Sequence, residues 1–176
     1  MPDDLTFGAV RLRAWAPDDA PWIYAGYNQP LVLAQTEQPD GERVDSVDRA
    51  RRLIGSMSLN ACVGRGIGLA ICSAEDGDPL GSIELEALED REKEAAIGFW
   101  TLEDHQGQGH ASCAVTLAVQ WALESLGIVR VWADIDRGNG ASLAVVRKAG
   151  FGECAGATLP SYMPTRSTSL VLCVQR

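Results

Sequence analysis

Residues 104–111 read DHQGQGHA, and two glycines in this segment separate an apolar stretch from a long stretch without Gly or Pro. The apolar stretch, 95–102, is typical of a strand, and 111–126 has apolar residues at mostly helical spacings. Glycines let the main chain turn sharply, and the free amides and dipole at a helix start favour an anion. The segment therefore predicts either a phosphate-binding loop or, taken alone, an ordinary turn without a ligand.

Two other phosphate-binding motifs do not match this loop. A dinucleotide-binding turn needs a third glycine where Ser112 stands, and it opens a chain rather than following several strands. The sequence also lacks a G-x-x-x-x-G-K-[ST] motif, so the lysine of a P-loop is missing. These patterns exclude a nucleotide oxidoreductase and a P-loop phosphotransferase.

Before the loop, the pattern predicts a strand at 9–15, a helix starting near Pro17 and a second helix starting at Ser46. Strands at 66–73 and 79–88 flank an acidic turn and form a hairpin that continues into 95–102. After the long helix we expect a strand at 128–135, a helix at 141–148 and strands at 151–157 and 168–174. We expect residues 1–176 to form a single domain.

Composition limits the partners and the location. The chain has 15 Lys and Arg against 24 Asp and Glu, a net charge of -9, which disfavours nucleic acid and anionic membranes and is compatible with cationic amines. The five cysteines form no C-x-x-C pair, and their odd number cannot all be matched internally, which indicates a reducing compartment. With no signal-peptide or membrane-spanning segment, a cytoplasmic location is expected.

Three ordered motifs resemble the GCN5-related N-acetyltransferase (GNAT) superfamily. They are Ile97-Gly98-Phe99-Trp100, the loop at 106–111, and Asn139-Gly140-Ala141-Ser142 followed by Lys148-Ala149-Gly150-Phe151. The opening, Val10-Arg11-Leu12-Arg13-Ala14-Trp15 with Asp18-Asp19-Ala20, extends the similarity and resembles the branch that acetylates ribosomal-protein N-termini. The resemblance implies an α/β (α+β) fold with a mixed, mostly antiparallel sheet, flanking helices and a splayed-strand cleft for acetyl-CoA.

The same resemblance implies which residues bind acetyl-CoA. Main-chain amides of Gly107, Gln108, Gly109, His110 and Ala111 would bind the pyrophosphate. Phe99, Trp100, Thr101 and Leu102 would pair with pantetheine, and Asn139 would contact the same arm. Asp104 stands where the family often has Gln or Arg. Metal ligands are not expected, because His105 and His110 lack further ligands at suitable spacing.

The resemblance also implies that Ser142 protonates the leaving thiolate, since Val146 stands where many relatives have a tyrosine acid. A helix-capping role for Asn139 and Ser142, and a thiolate that leaves without an acid, are the alternatives. Direct attack needs a base, and Glu84 and Glu86 lead because they share one strand face; a solvated face explains them equally well. Glu94 is a third candidate.

We therefore expect an acetyl-CoA-dependent N-acetyltransferase that acts on a primary amine by direct transfer, with a protein or peptide N-terminus as one acceptor. A small-molecule amine or antibiotic acetyltransferase and a non-catalytic acyl-CoA-binding module are the alternatives. Cys113 is expected to be an inert packed thiol. Trp22 and Tyr27 are expected to line the acceptor pocket. Tyr162, between Pro160 and Pro164, is a candidate gate, with an ordinary surface turn as the alternative.

Overall fold

The computed structural model describes residues 5–35, 43–86, 93–154 and 167–175, together with Thr158 and Pro160. Several expected features lie outside these residues: the last two residues of the strand expected at 79–88, the end of the strand expected at 151–157, and the candidate gate Tyr162.

In the ranges that the structure describes, seven strands form one sheet in the order in which they occur along the chain. They are β1 (Leu5–Phe7), β2 (Val10–Ala14), β3 (Gly66–Ser73), β4 (Pro79–Glu86), β5 (Glu94–Thr101), β6 (Arg130–Asp136) and β7 (Ser169–Gln175). All neighbouring pairs are antiparallel except β5 and β6, which are parallel. The predicted mixed, mostly antiparallel sheet is confirmed.

Within the described residues, five α-helices flank the sheet. They are α1 (Ala20–Tyr27), α2 (Pro30–Gln35), α3 (Val47–Val63), α4 (His110–Ser125) and α5 (Gly140–Lys148). The start of α3 is set by Ser46, whose Oγ accepts a hydrogen bond from the Arg49 N–H at 3.3 Å. Gly64 ends α3 at a φ of 77°, the left-handed conformation that glycine adopts without steric cost. The expected helices at 111–126 and 141–148 are confirmed within a residue.

The helices bury both faces of the sheet. One face packs against α4 and α5 through residues such as Ile71, Ile83, Val115 and Val146. On the other face, α1 and α3 pack on a second cluster, which includes Ile23, Ile54, Met57, Ala70 and Cys72. Among the helices in the described ranges, none is both long enough and apolar enough to cross a membrane.

Four details differ from the sequence expectations. β1 was not predicted, and it pairs with β2 through a turn at Gly8 with a φ of 59°. The short helix α2, which begins at Pro30, was not predicted. In the described part of the strand expected at 151–157, residues 151–154, the sheet pairing is one bridge between Gly152 and Cys173. Cys173 also forms a disulfide with Cys154, with the Cα atoms 5.8 Å apart, although spacing alone had indicated a reducing compartment.

The two parallel strands separate along their length. Residues Glu94, Ala95 and Ala96 pair with Arg130, Val131 and Trp132, and beyond this point β5 and β6 are no longer paired. The remaining part of β5, from Ile97 to Thr101, therefore has main-chain groups on its β6 side without a strand partner. This is the splayed-strand cleft that the family resemblance implied.

Candidate active site

In the described part of the chain, two adjacent cavities lie along β5 where it separates from β6. The first, about 260 Å³, is lined by Tyr27, Ser82, Glu84, Glu86, Asp134 and Asp136, among others, and is called the acidic chamber. The second, about 120 Å³, is lined by Val32, Thr101, Gly107, Ala111, Ala141 and Val145, among others, and is called the neutral chamber. Four residues line both and form the junction: Phe99, Trp100, Asn139 and Ser142.

The glycine loop, residues 106–111, contributes Gln106, Gly107 and Ala111 to the lining of the neutral chamber. Gly107 and Gly109 have φ values of 71° and 86°, and Gly109 is the residue that precedes α4. Within the described part of the chain, the N–H groups of residues 107–111 donate no hydrogen bond. A Cβ at either glycine would meet no atom within 4 Å. Because the amides are free and the helix begins here, the loop suits a phosphate group.

At the junction, Asn139 and Ser142 begin α5. The Asn139 side-chain oxygen accepts a hydrogen bond from the Ser142 N–H at 3.0 Å, so the expected capping role of Asn139 is present. This bond uses the main chain of Ser142 and leaves its hydroxyl out. Ser142 therefore keeps an O–H group at the point where the two chambers meet.

Glu84 is placed in the acidic chamber by its neighbours in the sheet. It lies between Gly68 on β3 and Gly98 on β5, neither of which has a side chain. On the Gly68 side, Met57 of α3 fills the space, whereas a Cβ at Gly98 would meet nothing within 4 Å. The carboxyl group is thus half-buried, with apolar atoms on one side and the open chamber on the other.

The environment of Glu84 changes its acidity. Burial, and then the negative charge of Glu86, raise the pKa of Glu84 to about 7. The hydroxyl of Tyr27 donates a hydrogen bond to Oε1 of Glu84 at 3.3 Å, and this bond lowers the pKa of Glu84. Burial and the Glu84 carboxylate raise the pKa of Tyr27, so the Tyr27 hydroxyl stays protonated and remains a hydrogen-bond donor. A carboxylate with a pKa near neutrality is a suitable general base.

The position of Tyr27 depends on close packing between α1 and β5. Gly26 lies directly against the ring of Trp100, where any Cβ would overlap ring atoms. Trp15 stacks on Trp100 with ring centroids 6.5 Å apart, and Tyr27 contacts it edge-on at 5.9 Å. Tyr27 therefore lines the acidic chamber, as expected from the sequence. Trp22, expected beside it, instead lines a separate depression near Leu102.

The remaining base candidates differ in position. Glu86 also lines the acidic chamber, but it is exposed near the end of β4. Glu94 is buried and bonded to Arg130 Nη1, and its Oε2 accepts a hydrogen bond from Trp132 Nε1 at 2.6 Å. Glu94 lies where β5 and β6 are paired and does not line either chamber. The structure thus removes Glu94 from the set of base candidates.

Four of the residues expected to bind coenzyme line neither chamber: Leu102, Gln108, Gly109 and His110. The last three belong to the loop through their main chain. Leu102 follows β5, and its N–H donates to the Leu80 carbonyl at 2.8 Å, away from the cleft. The Gln108 side chain donates to the Asp104 carbonyl at 2.9 Å. Cys113 packs partly buried against the core, and no group of three metal ligands is found in the described ranges.

Sequence reasoning missed Asp134 and Asp136. Both lie on β6 and line the acidic chamber, and Oδ1 of Asp134 is buried without a hydrogen-bond partner among the described residues. Both acids alternate with buried Ala133 and Ile135. The alternation at the end of this strand was the available signal, because it places two acids on one face beside the expected cleft.

Comparisons of sequence and of fold with known proteins both identify acetyltransferases as similar to this chain. Residues 9–152 match a family model described as an acetyltransferase (GNAT) domain. The chain is 27% identical over 140 residues to the uncharacterized N-acetyltransferase YoaA of Bacillus subtilis strain 168, covering 80% of this chain and 77% of that protein.

Solved structures share the fold at low sequence identity. Mycobacterium smegmatis RimJ, solved in complex with CoA-disulfide, has a TM-score of 0.79 at 21% identity, covering 96% of this chain and 82% of that chain. A ribosomal-protein-S5-alanine acetyltransferase from Vibrio fischeri has a TM-score of 0.80 at 12% identity, covering 99% and 97% of the two chains.

Proposed function

The chain belongs to the GNAT acetyltransferase family, and from this premise we propose that it is an acetyl-CoA-dependent enzyme that acetylates a primary amine by direct transfer. The observation that carries the proposal is the junction of two unlike chambers. Among the described lining residues, the neutral chamber presents free main-chain amides and no charged side chain, whereas the acidic chamber presents carboxylates. A phosphate-bearing coenzyme suits the first, and a cationic acceptor suits the second.

Acetyl-CoA, when bound, supplies an activated thioester. The free amides of residues 107–111 would hold its diphosphate, and the unpaired edge of β5 from Ile97 to Thr101 would pair with the pantetheine arm. This placement brings the thioester to the junction beside Ser142. Main-chain donors on the unpaired edge of β5 would polarise the carbonyl group.

Glu84 is assigned as the general base. As a carboxylate it takes a proton from the acceptor ammonium group, which gives the neutral amine that attacks the thioester carbon. As the new C–N bond forms, the C–S bond breaks, and the Ser142 hydroxyl gives its proton to the leaving sulfur. The hydroxyl is restored by the second proton that the acceptor nitrogen loses. Glu86 is exposed, so its role is to add negative charge to the chamber, and it is not assigned the proton transfer.

Two acceptor classes are compatible with this site. A protein or peptide N-terminus is supported by the fold shared with RimJ and with the S5-alanine acetyltransferase. A small amine is supported by the carboxylates of the acidic chamber. A mass-spectrometric screen for acetylated products, with peptides, aminoglycosides and polyamines as acceptors, would separate the two classes.

The coenzyme site is tested by calorimetric titration of acetyl-CoA into the full chain and into Gly107→Glu. We expect Gly107→Glu to weaken binding about a hundredfold, because a carboxylate would occupy the phosphate position. Gly127→Glu is the matched control: Gly127 has the same φ of 71° and the same free space for a Cβ, but it lies after α4. Equal affinity of the two variants, or no binding by the folded protein, would overturn the proposal.

A further inference from the structure

The acidic chamber has carboxylates on both sides of a gap in the sheet. Glu84 pairs with Gly98 on β5, and continuation of the β5–β6 register would place Asp134 opposite Gly98. The strands have separated at this point. Between Glu84 and Asp134 lies Gly98, which has no side chain, and the space above it is open, because a Cβ at Gly98 would meet no atom within 4 Å. With strands about 4.8 Å apart when paired, the two Cα atoms lie at least about 10 Å from each other.

Buried polar groups aimed at this space lack partners. Ser82 is 1% exposed and lines the chamber, and its Oγ has no hydrogen-bond partner among the described residues. Oδ1 of Asp134 is likewise buried and has no hydrogen-bond partner among the described residues. Buried polar atoms in proteins are normally hydrogen-bonded. These two groups are therefore arranged for a ligand that supplies donors.

The chamber also lacks a positive charge of its own. Four carboxylates line it, those of Glu84, Glu86, Asp134 and Asp136, and its described lining contains neither Lys nor Arg. An acceptor with one ammonium group would satisfy Glu84 and leave the carboxylate across the gap unpaired. Because leaving a partly buried charge without a partner is costly, the site favours a ligand with more than one cationic group.

We propose that the acceptor of this enzyme carries a second positive charge beside the reacting amine, and that Asp134 binds this second charge. The inference rests on the proposed function, since it names the acceptor class of the same site. Asp134 is a specificity-determining residue here, whereas Glu84 faces the reacting nitrogen. The required chemistry is present in a free diamine and in a peptide N-terminus followed by a basic side chain.

The inference is tested by measuring acceptor binding without turnover. Butylamine and putrescine have the same carbon chain and differ by one ammonium group, so they are titrated calorimetrically into the protein saturated with CoA. We expect putrescine to bind at least about tenfold more tightly, as for a hydrogen bond between charged groups. A pair of peptides with Lys or norleucine in second position distinguishes the peptide source from the free diamine.

Asp134→Asn is expected to abolish this preference, because it weakens putrescine binding more than butylamine binding. Asp18→Asn removes the same charge from an exposed position before α1 and should keep the preference. Equal affinity of the wild type for the one-charge and two-charge ligands in both pairs, or a preference that survives Asp134→Asn, overturns the inference. If CoA does not bind, the proposed function fails, and the same titrations into the protein alone still decide whether two charges are preferred.

Discussion

Two acidic side chains on one face of the sheet, Glu94 and Glu84, have opposite surroundings. Glu94 lies where β5 and β6 are paired, and Arg130 and Trp132 of β6 bind its two oxygens. Glu84 lies beside the part of β5 that has separated from β6, and its one described hydrogen-bond donor is the uncharged hydroxyl of Tyr27. Where β5 and β6 are paired, β6 supplies the Arg130 cation to Glu94. Where the two strands have separated, no described cation is bonded to Glu84.

This difference separates a structural acid from a chemical one. A buried carboxylate with an arginine and an indole N–H is fully satisfied, and it holds β5 and β6 together where the cleft begins. A carboxylate that lacks a cation and faces a chamber has an elevated pKa and can accept a proton. The same residue type on the same sheet face therefore has two roles, decided by the neighbouring strand.

The strongest test of the contrast is Glu84→Gln. We expect kcat/KM to fall at least about a hundredfold, because the amide cannot take a proton from the acceptor. Acetyl-CoA affinity should stay the same, since Glu84 does not line the neutral chamber. Steady-state kinetics with any acceptor found in the screen, together with calorimetry, measures both. A larger loss in Glu86→Gln than in Glu84→Gln would transfer the base role to Glu86.

The corresponding change in the paired half is Glu94→Gln. Because it leaves Arg130 without its carboxylate, we expect the free energy of unfolding to fall by about 3 kcal/mol. Urea unfolding followed by fluorescence measures this loss. The kcat of the remaining folded protein should change little compared with Glu84→Gln. A variant of full stability and no activity would show that Glu94 belongs to the reaction after all.

A smaller effect is expected at the junction, in Ser142→Ala. We predict about a tenfold decrease in kcat with unchanged acetyl-CoA affinity, because the leaving sulfur loses its proton donor while the helix cap remains. The cap is retained because Asn139 accepts the main-chain N–H of residue 142. Pre-steady-state measurement of the acetyl-transfer step checks the effect. An unchanged rate would mean that the thiolate leaves without an acid.

The smallest expected effect concerns pH. The ionised form of Glu84 is the active one, so kcat/KM should rise with pH through about 7. Tyr27→Phe removes a hydrogen bond that lowers the pKa of Glu84, and the rise should move to higher pH by less than about one unit. Profiles of kcat/KM against pH for the two proteins measure it. A shift to lower pH would contradict the assigned hydrogen bond.

The raised pKa of Glu84 should also make the free energy of unfolding of the wild type depend on pH. The folded-state pKa of Glu84, about 7, lies above the usual value of 4.5 for a glutamate, so the folded protein binds the proton more tightly than the unfolded chain does. The contribution of this group is complete below about pH 4.5 and is lost as the pH rises through 7. Glu84→Gln should therefore gain stability relative to the wild type at pH 8 and not at pH 4.

Much of the fold was accessible from the sequence because its signals are local. The glycine loop before α4, the acidic turn of the β3–β4 hairpin and the Ser46 cap each lie within a few residues of the element they define. Glu84 and Glu94 could not be separated in this way, since side-chain alternation places both on the same face. The partners that distinguish Glu94 are 36 and 38 residues away.

The acidic side of the site was only half predicted for the same reason. Glu84 and Glu86 were found because they alternate on one strand, but Asp134 faces them only after β6 has separated from β5. The cysteine pair is a similar case, because 19 residues separate Cys154 from Cys173 in sequence. Contacts between residues far apart in sequence depend on how the whole sheet is assembled, so local sequence patterns do not predict them.

Two glycines set how this enzyme could be adapted to other acceptors. Any side chain at Gly26 would push α1 away from Trp100 and carry Tyr27 with it, so this wall of the chamber cannot be varied alone. At Gly98 a methyl group would meet nothing. Directed evolution for smaller or differently shaped amines should begin with a saturation library at position 98, where volume can be added to the floor while the walls stay in place.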